Sequence, residues 1–128
     1  MSATDRIQDY IQDQTARHDN ASPIFSIVVF ENPDKELIYE NGKHSGWPDT
    51  GCMSEMGFYY DLETAIQAMH ENWADIHETC YHAGFVICRY PGLYNVAVPE
   101  GRIYFVWDES RGGFYETEEP EIFAHVAY

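Results

Sequence analysis

Cations are scarce in this chain. Lysine and arginine together number 7 in 128 residues against 22 aspartates and glutamates, a formal net charge of −15 with histidine neutral. That shortage excludes direct nucleic-acid binding, which needs basic surface to neutralise phosphates. It equally excludes attachment to an anionic leaflet through a polybasic patch. Long apolar runs are missing too. The longest, residues 24–30, has seven residues and contains Ser26, far short of the roughly 20 that span a bilayer. Residues 1–8 hold no apolar stretch and reach an acid at Asp5, so no secretory signal is expected. Cysteine is sparse and odd in number. Cys52, Cys80 and Cys88 form no regular framework, which points to free thiols in a reducing cytoplasm, with Cys80–Cys88 the one pairing left open. Repeats, low-complexity tracts and dividing linkers are also lacking, so residues 1–128 read as a single domain.

Apolar residues and aromatics are plentiful instead, at 45% and 16%, enough for a core and against disorder. Acid is spread along the chain, with ten carboxylates in residues 1–60 and twelve in 61–128, so the charge belongs to the folded surface and not to a tail. Residues 3–18 read as a helix that starts at Ser2 and Asp5 and carries a narrow stripe of Ile7, Tyr10 and Ile11. Residues 24–31, β-branched and aromatic on both faces, form the clearest strand. A turn at Asn32-Pro33-Asp34 sends residues 37–40 back as its hairpin partner. Residues 41–56, punctuated by Gly and Pro, read as a long irregular loop, and residues 58–60 as a short strand. The strongest helix signal follows. Asp61 is its N-cap, and Leu62, Ala65, Ile66, Met69, Trp73, Ile76 and Cys80 recur at steps of three and four, predicting one helix over 62–82 with Gly84 as a stop. Strands are expected at 85–90, 102–107 and 114–117, the first two apolar on both faces and central, and a short helix at 120–125. The fold class is α+β: an antiparallel β-sheet of five to six strands, the central amphipathic helix 62–82 packed on one face, and an N-terminal helix.

The run Phe58-Tyr59-Tyr60-Asp61-Leu62-Glu63-Thr64-Ala65-Ile66, followed by Asn72, Asp75-Ile76, Glu78 and Tyr81, resembles a pattern in small uncharacterised bacterial and phage proteins. Pro91-Gly92-Leu93-Tyr94 and the strand bearing Trp107 extend the resemblance over residues 58–120. It implies a mobile-element or accessory protein and brings no catalytic residue with it.

Several constellations invite a chemical reading. His70, His77, Cys80, His82 and Cys88 fall within nineteen residues, and His77, Cys80 and His82 are the candidates for a metal. Their spacing matches no usual zinc arrangement, so these residues read as core and helix flank and no cofactor is expected. Cys80 sits beside Glu78 at the unfavourable end of the expected helix for thiolate chemistry, whereas Cys52 shares its loop with His44 but has no oxyanion-hole motif. Gly112-Gly113 marks a hairpin turn and not a phosphate loop. No catalytic group stands out. On the expected helix Glu71, Asp75 and Glu78 share a face without Lys or Arg, and twenty aromatics exceed what one small core needs.

Together these features predict a non-enzymatic acidic binding protein for a basic protein partner, using Glu71, Asp75, Glu78, Trp47, Tyr59 and Tyr94. In its narrower form it is an inhibitor that imitates nucleic acid. Two other readings differ in class. One is a small cytosolic enzyme or small-molecule sensor with a pocket beneath loop 41–56, lined by His44, Trp47, Asp49 and Cys52. The other is a homodimer joined through sheet edges or an aromatic face.

Overall fold

The computed structural model describes residues 2–18, 21–31, 53–91 and 101–118. Helix α1 (Ala3–Arg17) begins where Ser2 accepts a hydrogen bond from the Asp5 amide at 3.1 Å, as its sequence predicts. Five strands follow, β1 (Ile24–Phe30), β2 (Met53–Tyr59), β3 (Ala83–Arg89), β4 (Arg102–Asp108) and β5 (Gly113–Thr117), with helix α2 (Leu62–His70) between β2 and β3. They form one antiparallel sheet in the order β2-β1-β3-β4-β5. The fold is therefore α+β, with the sheet and the packed helix that the sequence predicts. Among the described residues no helix is long and apolar enough to cross a membrane.

Both edges of β1 are occupied, by β2 along one side and β3 along the other. Across the connecting segment it pairs with Met53–Tyr59; residues 37–40, expected as its hairpin partner, lie outside the described residues, as does the helix expected at 120–125. Strand β2 also starts inside the expected loop 41–56, whose last residues are extended. The pairing of β1 with β2 slips between Ile27 and Val28, a bulge at which Gly57 takes a φ of 130°.

Alternation along the strands sorts the core into two faces. Phe25, Ile27 and Val29 of β1, Val86 and Cys88 of β3, Ile103 and Phe105 of β4 and Phe114 of β5 turn toward the helices. There they meet Ile7 of α1 and Leu62, Ala65, Ala68 and Met69 of α2. Val28, Phe30, Phe85, Ile87 and Tyr104 occupy the opposite face and are buried as well. That second face also holds two buried cations. Arg89 points its Nε at Glu55 across 3.7 Å, and the Arg102 guanidinium lies over the Phe85 ring at 4.3 Å from its centre.

Helix α1 is anchored by Tyr90, at the end of β3. The Tyr90 hydroxyl donates to the Ile11 carbonyl at 3.0 Å and accepts from Thr15 Oγ1 at 2.6 Å, while His18 stacks on its ring. Gly84 is not a helix stop. It lies in β3, where a Cβ would stand 2.5 Å from the Val28 carbonyl oxygen and 3.1 Å from Met69 Cε. The turn from β4 to β5 is built by Asp108, whose Oδ1 accepts from the Ser110 amide at 3.0 Å and its hydroxyl at 2.7 Å, while Oδ2 pairs with Arg111 Nε at 2.8 Å. The hydrogen bonds from Ser110, then those from Arg111, pull the Asp108 carboxyl down to about 2.

Two outcomes follow from this packing. Gly84→Ala forces backbone against backbone, and its midpoint in chemical denaturation is expected to fall by the equivalent of about 1–3 kcal/mol. Asp108 ionises more readily in the folded chain than at its ordinary 3.8, so its turn contributes stability above that pH that is lost as the pH falls through about 2. Asp108→Asn should therefore be less stable at neutral pH and show a shallower loss of stability across that interval, read from denaturation curves at successive pH values.

Candidate functional site: an acidic, aromatic sheet edge

The expected helix 62–82 ends at His70. Its start is as predicted: Asp61 accepts from the Thr64 amide at 2.8 Å and the Thr64 hydroxyl at 2.7 Å, which holds its carboxyl below the usual range. After Glu71 the chain turns left-handed at Asn72 (φ 59°) and again at Ala74, Asp75 and Cys80, winding two short 3-10 turns, Trp73–Asp75 and His77–Thr79, into a strap of residues 71–80. A side chain replaces one of the missing helical bonds and braces the turn with a second. Asn72 Oδ1 accepts from the His77 amide at 2.8 Å, and Asn72 Nδ2 donates to Glu78 Oε2 at 2.8 Å. Asn tolerates this left-handed conformation better than most residues, whereas Ala74 and Cys80 adopt it at a real cost. Ile76 alone of the strap's apolar residues is buried; Trp73 and Cys80, expected on the buried face, are exposed.

Glu71, Asp75 and Glu78 thus do not line one face of a helix. They are spread along an exposed strap, two of them held by neighbours. Glu71 accepts from Gln67 Nε2 at 2.8 Å and from the Trp73 indole at 3.2 Å, and these bonds, Gln67 first, lower its pKa. Glu78 is lowered chiefly by Asn72, with His77 Nδ1 at 3.9 Å from its other oxygen. Trp73 then meets Tyr59 edge-on, with ring centres 6.1 Å apart. Tyr59 and Glu71, both predicted from sequence, are brought together through a residue the sequence assigned to the core. On the other side of β2, Phe58 and Tyr60 meet edge to face at 5.6 Å. Phe58, Tyr60 and Trp73 are 51%, 81% and 39% exposed, large apolar groups that a core would have taken in. Trp47 and Tyr94 lie outside the described residues, and so do His44, Asp49 and Cys52 of the alternative pocket.

Charge along this stretch of sequence is of one sign, with Arg89 of β3 reaching Glu55 from outside it. Residues 53–88 contain six carboxylates and neither lysine nor arginine. No position taken singly shows this; only a windowed count of cations does.

The histidines form a second cluster at the far end of the strap. His77 stacks flat on Trp107 with ring centres 3.8 Å apart, and His82 meets His77 edge-on at 5.6 Å. His82 Nδ1 donates to the Glu31 carbonyl at 2.6 Å, and His70 Nδ1 to the Phe114 carbonyl at 2.9 Å. These contacts fasten the strap to the ends of β1, β4 and β5. Cys80 and Cys88 are free thiols. Cys88 is buried, which pushes its thiol up to about 12 and leaves it protonated at neutral pH. Among the described residues no group of three or more His, Cys, Asp or Glu side chains is arranged to hold a metal ion, so His77, Cys80 and His82 do not converge.

No family model, curated protein or solved structure is significantly similar to this chain. The comparisons lend the resemblance over residues 58–120 no support, and the geometry stands alone.

Asn72 is the residue on which the strap turns. Asn72→Ala loses both side-chain bonds and strains the left-handed backbone, for an expected loss of about 2 kcal/mol. Asn72→Gly keeps the backbone conformation and should lose about half as much. Equal stability of both variants with the parent, measured by urea denaturation, would show that the strap is not held this way.

Proposed function

We propose that this chain is a non-enzymatic binding protein whose acidic, aromatic edge engages a basic protein partner. The reading rests on one observation: Trp73 stands exposed, hydrogen-bonded to Glu71 and against Tyr59, in a stretch of 36 residues without a single lysine or arginine. Exposed, rigid aromatics are the anchors that dominate protein–protein affinity, and surrounding charge steers the encounter. Local hydrogen bonds keep Glu71 and Glu78 ionised below the usual carboxylate range, so the edge stays negative in mildly acidic conditions. The narrower form of this reading is an inhibitor from a mobile element that offers carboxylates where DNA or RNA offers phosphates, and it places the protein in the cytoplasm with its target.

The test is capture of partners by the immobilised protein at low and high salt, beside two variants. A genuine partner is retained by the parent, released by salt, and weakened about tenfold or more by Trp73→Ala. Changing Glu71, Asp75 and Glu78 together to Gln should weaken it and flatten the salt dependence. Equal retention by parent and both variants would sink the reading. A partner displaced from the protein by its own DNA or RNA would support the narrower form.

A further inference from the structure

Among the described residues strand β2 is an edge of the sheet. Edge strands carry a row of outward N–H and C=O groups, and proteins commonly blunt them with lysine, proline, a bulge or a cover. Residues 53–60 contain neither lysine nor proline. Their bulge is at Gly57, which is exposed and would meet nothing within 4 Å if it carried a Cβ. Past the bulge the edge is flanked by aromatics on both sides. Phe58 and Tyr60 stand together on one side, and Tyr59 with Trp73 on the helical side.

We propose that β2 accepts an extended, lysine- or arginine-bearing segment of the partner as a sixth strand; this rests on the binding function proposed above. An added strand would lie about 5 Å from β2. Its alternate side chains would then pass over Phe58 and Tyr60 on one side and over Tyr59 and Trp73 on the other, within cross-strand reach. Cationic side chains suit both aromatic faces and the carboxylates nearby, Asp61 and Glu71. The opposite edge suits such a segment less well. Strand β5 has five residues, and Arg111 sits at its turn, stacked 3.5 Å over the Tyr115 ring. A second copy of this chain is the poorer occupant of β2, because it would bring an equally cation-free edge against this one.

The test uses two synthetic ten-residue peptides of alternating lysine and valine, one unmodified and one methylated at every backbone nitrogen. Both carry the same charge, but only the first can donate to a strand edge. With the full-length protein at low salt, the unmodified peptide should bind at least tenfold more tightly than its methylated twin. It should also slow amide hydrogen exchange within residues 54–60, while leaving residues 113–117 unchanged. Equal binding of both peptides, weakened alike by the Gln triple variant, overturns strand addition and leaves the acidic surface as the binding element. Failure of the unmodified peptide to bind, or protection at β5 in place of β2, also overturns strand addition. So does protection of β2 that rises with protein concentration without peptide, since a second copy would then own the edge. Loss of binding in Trp73→Ala without any change in the partner capture described above would separate the peptide's site from the partner's.

Discussion

The surface of this protein is shaped by a helix that stops early. One side chain, Asn72, takes the His77 amide that another turn of α2 would have bonded to a carbonyl, and it also ties down the Glu78 carboxylate. Once the chain turns left-handed there, the order of apolar residues no longer decides which of them are buried. Ile76 goes inward, Trp73 goes outward against Tyr59, and His77 is delivered to the flat face of Trp107. A continuous helix would have pointed Trp73 and Ile76 to the same side, and the aromatic edge would have lost its largest member to the core. Left-handed conformations at Ala74 and Cys80 cost on the order of 1 kcal/mol or more each, and the burial of Ile76 together with the His77 stack offsets that cost.

Much of the scaffold was legible beforehand because its signals are local. Ser2 and Asp61 are good N-caps and begin helices; residues 24–30 are apolar on both faces and lie deep in the sheet; Gly112 takes a positive φ in a hairpin turn. The early stop of α2 was not legible from spacing. Met69, Trp73, Ile76 and Cys80 continue the three-and-four rhythm past the stop, and periodicity cannot register a side chain that competes for backbone groups. Asn72 was the available cue, since Asn both caps and tolerates the left-handed region. The partner of β1 was missed for a different reason: a turn signal at Asn32-Pro33-Asp34 implies a nearby return, while the pairing realised is with residues more than twenty positions on. Gly84 read as a stop because glycine has two common uses, and only the approach of the Val28 carbonyl shows that this one serves contact.

Burial of cations sharpens the charge asymmetry that composition announces. Arg89 and Arg102, two of the seven basic residues, lie inside the sheet and contribute little to the outer surface. Strand β4 reads as apolar on both faces from sequence, yet it begins with a fully buried guanidinium. Fewer cations are then left to face solvent, and while Glu55 of β2 faces the buried Arg89, Glu71 and Glu78 have no arginine or lysine among their partners. Neutral donors, Gln67, Trp73 and Asn72, hold them instead. Such donors stabilise the ionised form without cancelling its charge, so the field reaching solvent is that of bare carboxylates.

An accessible sheet edge with exposed aromatics on both sides would ordinarily promote self-association, since identical edges present identical hydrogen-bonding groups. Charge provides the opposing term. Two copies meeting along β2 would bring carboxylates against carboxylates with no lysine or arginine between residues 53 and 88 to relieve them. The repulsion acts within a Debye length of about 8 Å at physiological salt, comparable to the spacing of neighbouring strands, so it bears most strongly on pairing itself. The same field becomes attractive for a segment of opposite sign. On the proposed reading, keeping lysine out of the edge would do two things with one constraint: penalise pairing with another copy of the chain, and leave the aromatic faces open for a basic segment.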